Sequence, residues 1–324
     1  MSAYWLARRL LTSALVLFSA VAINFAIPRL MPGNPVDRLT GGVKLSAEAR
    51  DALIRRFGLD RSLWEQYWRY ITHAVRGDFG LSFTYYPKSV ASAIMDALPW
   101  TLLVLVTSLV LQVAIGYLLG ATAAWRAGTK TDSTLQTMSM VMLSVPLFWV
   151  AMVMFYIFSF RLGWFPFGGA YTIGATYDGF LDHLSDIARH AFLPIVSLTI
   201  AQYATFQIIL RNTMVGVIRK PYILTAESKG ISTGRLKHRH AARNALLPMV
   251  TFLGLSLAMI VGGSVYIETV FSYPGIGKLI YDAVLSRDYP LLQGCFFVFA
   301  LVVVLGNLVV DIVYLYLDPR IRLQ

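Results

Sequence analysis

The sequence predicts an all-α membrane protein with several spanning helices, and three observations support this prediction. Of the 324 residues, 57% are hydrophobic and only 14% are charged, whereas soluble domains contain about 45–50% apolar and about 25% charged residues. The mean hydropathy is +0.62, and the long apolar windows lack the alternation typical of barrel strands. The single cysteine, Cys295, excludes an internal disulfide, a cysteine-based zinc site and a CxxC redox pair. Together these features exclude a disordered chain and disfavour a soluble enzyme.

Six windows are long enough to cross a bilayer as helices. A hydrocarbon core of about 30 Å requires about 20 apolar residues, at a rise of about 1.5 Å per residue. Uncharged windows of this order cover residues 10–27, 97–125, 133–160, 191–210, 245–267 and 289–310. The first window also resembles a signal peptide, with Ala20-Val21-Ala22 as a cleavage site. Its apolar run continues beyond that point, so we interpret it as a retained span.

The basic residues predict the orientation of the chain. Fourteen Lys and Arg residues lie in the short segments on one side of the predicted spans, and four lie in those on the other side. Positively charged short loops stay in the cytoplasm, so we expect both termini there, in a multi-pass protein of the cytoplasmic (inner) membrane. The net charge of +11 then follows from topology, and no nucleic-acid partner is expected.

This topology divides the chain into four parts. Residues 1–31 form the cytoplasmic N-terminus and the first span, and residues 32–96 form an extracytoplasmic cap. Residues 97–317 contain the other five spans with a cytoplasmic loop at 211–247, and residues 318–324 form a cytoplasmic tail. Within the cap, Trp64, Tyr67, Trp68 and Ile71 recur at helical spacing. We interpret this stretch as packing on the outer helix ends, with a docking surface as the alternative.

The cytoplasmic loop predicts a short helix between two long ones. Pro221 suits the first helical position, and Gly230 suits a left-handed residue just past the end. A second basic helix is predicted over about residues 232–247, leading into Pro248 at the start of the fifth span. A short helix held in this way, parallel to the membrane, would pass motion into the spans.

The residues of this loop resemble the "EAA" loop of inner-membrane permeases of ATP-binding-cassette importers. The resemblance rests on Ala226, Gly230 and the ending Asn244-Ala245-Leu246-Leu247-Pro248. Leu224 and Thr225 depart from the acidic-Ala start of the family pattern. The run Thr225-Ala226-Glu227-Ser228-Lys229-Gly230 is instead similar to the dipeptide/oligopeptide branch.

Further segments resemble the same branch in the same order along the chain. Before the second span stands Gly77-Asp78-Phe79-Gly80-Leu81-Ser82, and after the third stands Arg161-Leu162-Gly163-Trp164-Phe165-Pro166. The most specific segment is Glu268-Thr269-Val270-Phe271-Ser272-Tyr273-Pro274-Gly275-Ile276-Gly277, followed by Arg287-Asp288-Tyr289-Pro290. The ending Asp318-Pro319-Arg320-Ile321-Arg322 also fits.

The resemblance implies the transmembrane fold of a type I importer, as a permease of the peptide "B" kind. It implies four kinds of partner: a second homologous permease forming a heterodimer, two cytoplasmic ATPase domains, an extracytoplasmic substrate-binding protein and a peptide substrate. ATP and Mg would be bound by the ATPases, and no cofactor by this chain. The implied ATPase-coupling residues are Tyr222, Thr225, Ala226, Glu227, Lys229 and Gly230. Ala226 and Gly230 lie one turn apart, so we expect them to form a face of small residues that a partner approaches closely.

Two further groups of residues have expected roles, one at the outer ends of the spans and one in helix packing. Glu268, Phe271, Pro274, Gly275 and Gly277 are implied as the outer gate and turn signature. Gly116 and Gly120 form a GxxxG pattern, which predicts close helix packing.

No catalytic or metal site is predicted. Around Gly277-Lys278, Ser272 and Leu279 stand where a P-loop needs Gly and Ser or Thr, so we expect a permease and not an enzyme. His183 and His190 admit a remote nickel interpretation, although two loop histidines rarely make a metal site.

Three kinds of alternative stay open. The cargo could be nickel, glutathione, haem or an oligosaccharide in place of short peptides. An ion-coupled transporter or a channel is a more distant alternative, because the middles of the spans contain no acid or base. A membrane-embedded enzyme is equally distant, since there is no nucleophile with a base.

Overall fold

The computed structural model describes residues 3–30, residues 60–317 and six residues between them (46, 48, 51, 52, 54 and 55). Most of the first half of the predicted cap, and the predicted tail 318–324, lie outside the described residues. Almost all regular structure in the described part is helical, apart from one isolated bridge between Leu81 and Ser89. The all-α prediction is therefore confirmed.

The helices are numbered here in chain order. They are α1 (Ala3–Leu30), α2 (Leu63–Val75), α3 (Val90–Trp125), α4 (Lys130–Ser144), α5 (Leu147–Met154, continued by the π-helical turn Phe155–Arg161), α6 (Phe180–Ile218), α7 (Pro221–Ser228), α8 (Thr233–Arg235, continued by the π-helical turn Leu236–Ala242), α9 (Arg243–Val270), α10 (Ile276–Ser286) and α11 (Tyr289–Leu317).

Several helices meet the length and composition of a membrane span. Within the described residues, α3, α6 and the 289–314 part of α11 qualify individually. Two bent pairs, Lys130–Ser144 with Leu147–Arg161 and Thr233–Leu257 with Val261–Val270, raise the number to five if each pair is one span. The apolar part of α1 is shorter, at Leu11–Ala26. The count of six spans therefore stays a prediction.

The third predicted span is broken instead of continuous. Its two halves, α4 and α5, meet at an angle of 96°. Pro146 has no backbone N–H to continue the helix, and its ring disfavours helical geometry in the residue before it. Val145 is accordingly extended, with φ −85° and ψ 124°. The sequence window did not predict this break, because window hydropathy counts Pro146 only as an uncharged residue.

The described chain divides into two compact units. The first contains residues up to Pro99 together with Gly275–Leu305, and the second contains Trp100–Pro274 together with the residues from Gly306 onwards. In the first unit α2 packs against α1, and Asn24 of α1 donates a hydrogen bond to the Tyr70 hydroxyl of α2 at 2.9 Å. Asn24 also donates to the Gln293 carbonyl of α11 at 2.7 Å.

The second unit is organised around α6, which packs against α4, α5 and α9. Gly116 and Gly120 of α3 lie directly against α6. A Cβ at position 116 would lie 2.5 Å from the Phe206 Cβ, and one at position 120 would lie 2.7 Å from the Gln207 carbonyl oxygen. Only glycine permits this approach of two helix backbones.

Candidate functional site

Helix α7 begins and ends at the residues that the sequence indicates. Pro221 occupies the first helical turn after an extended Lys220, where its missing N–H is not needed. Gly230 has φ +74°, and its N–H donates to the Glu227 carbonyl at 2.8 Å while the Ile231 N–H donates to the Ala226 carbonyl at 3.4 Å. This pair of bonds is the Schellman ending, which favours glycine at the left-handed position.

One face of α7 is buried in the second unit. Ile223 and Ala226 join a core cluster with residues of α3, α6 and the helical segment after α7. The members beyond α7 include Ala121, Ala124, Phe206, Leu210, Met214, Val217, Leu236, Ala241, Ala242, Ala245 and Met249. The short helix is therefore mounted on the ends of three membrane helices, so a force on α7 reaches all of them.

The burial of α7 corrects one expectation about its small residues. Ala226 is only 8% exposed, so its side chain packs within the chain and does not form an open face together with Gly230. The physical reason is the helical spacing, which places Ala226 beside Ile223 on the inward side. Gly230 is exposed, and its φ of +74° favours glycine there. Its close approach by a partner stays a prediction.

The outward face of α7 consists of larger and polar side chains. Leu224 is 58% exposed, and Thr225, Glu227 and Lys229 are exposed around it. An exposed leucine among charged residues suits a hydrophobic contact with a polar rim. Sequence reasoning missed Leu224, although its signal was present: it is an apolar residue where the family pattern has an acid.

Hydrogen bonds fix α7 and the following segment to the rest of the second unit. Asn244 donates to the Tyr222 hydroxyl at 2.8 Å, which joins the start of α7 to the start of α9. The Tyr117 hydroxyl of α3 and His238 Nδ1 are 2.8 Å apart, and Lys237 donates to the Thr122 hydroxyl at 3.1 Å.

An ion pair that the sequence analysis did not assign joins α4 to α6. Arg211 donates to both carboxylate oxygens of Asp132, from Nε at 3.0 Å and from Nη2 at 2.6 Å. The Asp132 side chain is 6% exposed, and a bidentate pair of this kind fixes orientation as well as distance. The only signal in the sequence was an isolated acid between two basic residues and an apolar window.

The outer signature is divided between the two units after Pro274. In the second unit Glu268 is fully buried and accepts a hydrogen bond from the Thr101 hydroxyl at 2.8 Å. The Phe271 side chain is buried, and its carbonyl oxygen would be 2.7 Å from a Cβ at Gly168. The residue after Phe271 is a serine with φ +46°, and this tight turn leaves Pro274 exposed.

In the first unit Gly275 immediately precedes α10, and Gly277 is buried in its first turn.

Glu268, in the second unit, is held inside the protein by the Thr101 hydroxyl. Its place at an outer gate stays a prediction.

Two of the family-like segments meet at Asp288 in the first unit. Its fully buried carboxylate accepts hydrogen bonds from the Ser82 hydroxyl and from the backbone N–H groups of Phe83 and Thr84, at 2.8 and 2.9 Å. Its other oxygen accepts the Leu291 N–H at 3.1 Å. One carboxylate therefore satisfies the donors of a loop and the first turn of α11 together.

The histidines considered for nickel have other contacts. His190 Nδ1 lies 2.8 Å from the Asp186 carbonyl oxygen, and the His183 ring packs edge-on against Tyr177. In the described ranges no group of three or more His, Cys, Asp or Glu side chains is arranged to hold a metal ion.

The sequence matches one transport family in two consecutive parts. Residues 2–105 match the N-terminal part of the binding-protein-dependent transport system membrane components, and residues 116–323 match the binding-protein-dependent transport system inner membrane component. The chain therefore belongs to this family. It is a multi-pass membrane permease subunit with the fold of type I ABC importer membrane subunits.

Curated relatives align with the chain over nearly their whole length. The oligopeptide transport system permease protein AppB of Bacillus subtilis is 36% identical over 322 residues, which cover 99% of this chain and 100% of the relative. The di/tripeptide transport system permease protein DppB of Pseudomonas aeruginosa is 34% identical over 335 residues, 99% of each chain. The glutathione transport system permease protein GsiC of Escherichia coli K12 is 35% identical over 315 residues, 97% of each.

Proposed function

We propose that this chain is the transmembrane subunit of an ATP-binding-cassette importer that moves short peptides into the cytoplasm. The observation that carries the proposal is the mounting of α7: one face is buried against three membrane helices, and the opposite face is exposed around Leu224. The peptide cargo is supported by the names of the AppB and DppB relatives.

In this proposal α7 is the coupling helix, seated on one of two partner ATPase domains. ATP and Mg are bound there, and this chain supplies neither a P-loop nor a catalytic residue. Closure of the ATPases draws α7 and its counterpart on a second, homologous permease together. Because α7 packs on α3, α6 and the start of α9, its displacement shifts these helices between outward-open and inward-open states, each stabilised by the ligand that binds it better.

The proposed topology follows from the basic residues. Both termini and residues 211–247 lie in the cytoplasm, where the ATPases are. The 32–96 segment lies outside, on the side from which a substrate-binding protein delivers its cargo.

Glutathione is the second candidate cargo, since the GsiC relative carries that name and glutathione is itself a tripeptide. Nickel, haem and oligosaccharides stay as wider alternatives of the same transporter class. For nickel, the described side chains provide no cluster of ligands.

The first test identifies the partners. The tagged chain is purified from native membranes, and the co-purifying chains are identified by mass spectrometry. A homologous permease with stoichiometric ATPases is the expected result, and the captured binding protein is then screened against dipeptides, longer peptides and glutathione. A chain that purifies alone or as a homo-oligomer would overturn the proposal in favour of an ion-coupled transporter or a channel.

The second test addresses α7 in the purified complex, reconstituted in vesicles. Leu224→Glu places a charge on the exposed face. We therefore expect the stimulation of ATP hydrolysis by loaded binding protein to fall about tenfold, a factor within the usual range for coupling between two sites. Lys130→Gln, an exposed residue at the start of α4, changes the net charge equally and serves as the matched control. Equal stimulation in the two variants would exclude α7 as the coupling helix.

A further inference from the structure

Helix α2 carries an exposed apolar stripe on one flank. Trp64, Trp68 and Val75 are 65%, 45% and 77% exposed, and at 3.6 residues per turn all three lie within a narrow sector of the helix. The two tryptophan rings touch edge to face, with centroids 5.5 Å apart. Two adjacent exposed tryptophans on a single helix indicate a surface that is covered by another phase or molecule.

The neighbouring face of α2 packs against α1. The Tyr67 ring contacts Phe18 and Phe25, with centroids 6.2 and 5.2 Å apart. Tyr70 contacts Phe25 and accepts the hydrogen bond from Asn24. These contacts fix both the rotation of α2 and its position along α1.

That position is alongside the apolar part of α1 and not beyond its end. Phe18 and Phe25 are seven residues apart, about 10 Å along the helix axis, and both lie within the apolar stretch Leu11–Ala26. Over the same stretch α1 exposes Leu15, Phe18 and Ile23. The stripe on α2 is therefore continuous with apolar side chains of a membrane helix, through the Phe18–Tyr67–Trp68 series of ring contacts.

The opposite flank of α2 is polar. Glu65, Arg69, Thr72 and Arg76 are exposed and lie next to the stripe on the side away from α1. Around the helix the order is thus protein contact, exposed apolar stripe and charged face. This is the arrangement of a helix that lies in a membrane interface, where tryptophan is enriched and arginine reaches the lipid phosphates.

We propose that α2 is an interfacial helix whose Trp64–Trp68–Val75 stripe inserts into the lipid headgroup region. The leaflet, the outer one, rests on the topology under the proposed function; insertion itself does not. Lipid fits better than a partner protein because a protein-docking patch is bounded by a polar rim, whereas this stripe runs on one side into the apolar surface of α1. The helix thereby anchors the extracytoplasmic segment at the membrane surface.

The test uses site-specific fluorescent labels on the full chain. Single cysteines are introduced as Trp64→Cys and Trp68→Cys in the stripe, with Glu65→Cys and Arg69→Cys as matched controls one residue away. The native Cys295 is fully buried, and the unsubstituted chain measures its background labelling. Each protein is labelled with a polarity-sensitive dye and placed in phosphatidylethanolamine–phosphatidylglycerol vesicles.

Quenching then distinguishes lipid from water. Labels at positions 64 and 68 should be quenched by phosphatidylcholine carrying a nitroxide near its headgroup and protected from iodide, and labels at 65 and 69 should behave oppositely. Iodide quenching at all four positions would overturn the proposal, as would protection of 64 and 68 that arises only when a binding protein is added. A reversed topology would keep the lipid quenching but move the iodide-accessible labels to the other side of the vesicle, so the two proposals fail separately.

Discussion

The approach of α3 to α6 at Gly116 and Gly120 gives the sharpest structural prediction. A Cβ at these positions would lie 2.5 Å from the Phe206 Cβ and 2.7 Å from the Gln207 carbonyl oxygen. Non-bonded carbon atoms pack at about 3.5–4.0 Å, so Gly116→Ala requires the two helices to separate by about 1 Å. Neither contact atom is the end of a flexible side chain, so rotamer changes cannot relieve the clash.

The energetic consequence follows from two opposing effects. Alanine favours a helix over glycine by about 1 kcal/mol, whereas inserting one carbon atom into a packed interface costs about 1–3 kcal/mol. Because the clash here involves a Cβ and a backbone oxygen, we expect the cost of overpacking to exceed the gain in helix propensity. With an overpacking cost in the upper part of that range, about 2–3 kcal/mol, less about 1 kcal/mol of helix propensity, each variant should lose about 1–2 kcal/mol of unfolding free energy.

The assay is equilibrium unfolding of the purified chain in mixed micelles, titrated with sodium dodecyl sulfate and followed by circular dichroism. Gly216→Ala is the matched control, because Gly216 lies in α6 with open space around it. It should leave the midpoint unchanged or raise it, through the helix propensity of alanine. If Gly116→Ala and Gly120→Ala unfold at the same detergent fraction as Gly216→Ala, the close packing of α3 on α6 is refuted.

Three carboxylates give the remaining predictions. Asp132→Asn removes the charge that Arg211 binds in bidentate geometry and should lower the unfolding free energy by about 2–3 kcal/mol, since the pair is mostly buried. Asp288→Asn should cost about 1–3 kcal/mol in the same titration, because an NH2 group replaces one of the two accepting oxygens and leaves a buried donor without its acceptor. The hydrogen bond from His73, with one from a backbone N–H, lowers the pKa of Asp78. The ionised Asp78 carboxylate therefore stabilises the folded state fully above the unfolded-state pKa of about 4. This stabilisation is lost as the pH falls through the lower folded-state pKa. Thermal unfolding of Asp78→Asn should lack that part of the acid sensitivity.

Each of these predictions has its own control. For the ion pair, a double-mutant cycle with Arg211→Gln should give a coupling energy well above that of an exposed pair; a cycle without coupling would contradict the assigned geometry. For Asp288, the control is Asp282→Asn in the partly exposed pair with Lys278, which should cost less than about 1 kcal/mol. For Asp78, acid sensitivity that is identical in the variant would show that the shift does not contribute.

The ends of α7 could be predicted from the sequence, because local rules govern them. Pro221 and Gly230 act on their own backbone, through a missing N–H and a positive φ, so both helix ends could be predicted without tertiary contacts. The inward orientation of Ala226 could not, since it depends on which residues of α3, α6 and α9 surround α7.

The broken third span shows a different limit. Hydropathy counts how many residues prefer lipid, and by that measure residues 133–160 form one uninterrupted window. Pro146 acts on geometry, and whether a proline merely kinks a helix or separates two helices depends on the packing on either side. Here α4 and α5 pack independently against α6, and the chain turns by 96° between them.

The sequence by itself determined the class of protein, the helical architecture and the place of the short helix α7 along the chain. Apolar windows of sufficient length leave no other stable state in a bilayer, where backbone groups must bond within the helix. Only the tertiary structure decided which side chains meet. Asp132 with Arg211, Asp288 with the Ser82 loop, and Tyr67 with Phe18 of α1 are brought together by packing between segments far apart in the chain. Those pairings follow from the energy of burying polar and aromatic groups against each other, which no local pattern records.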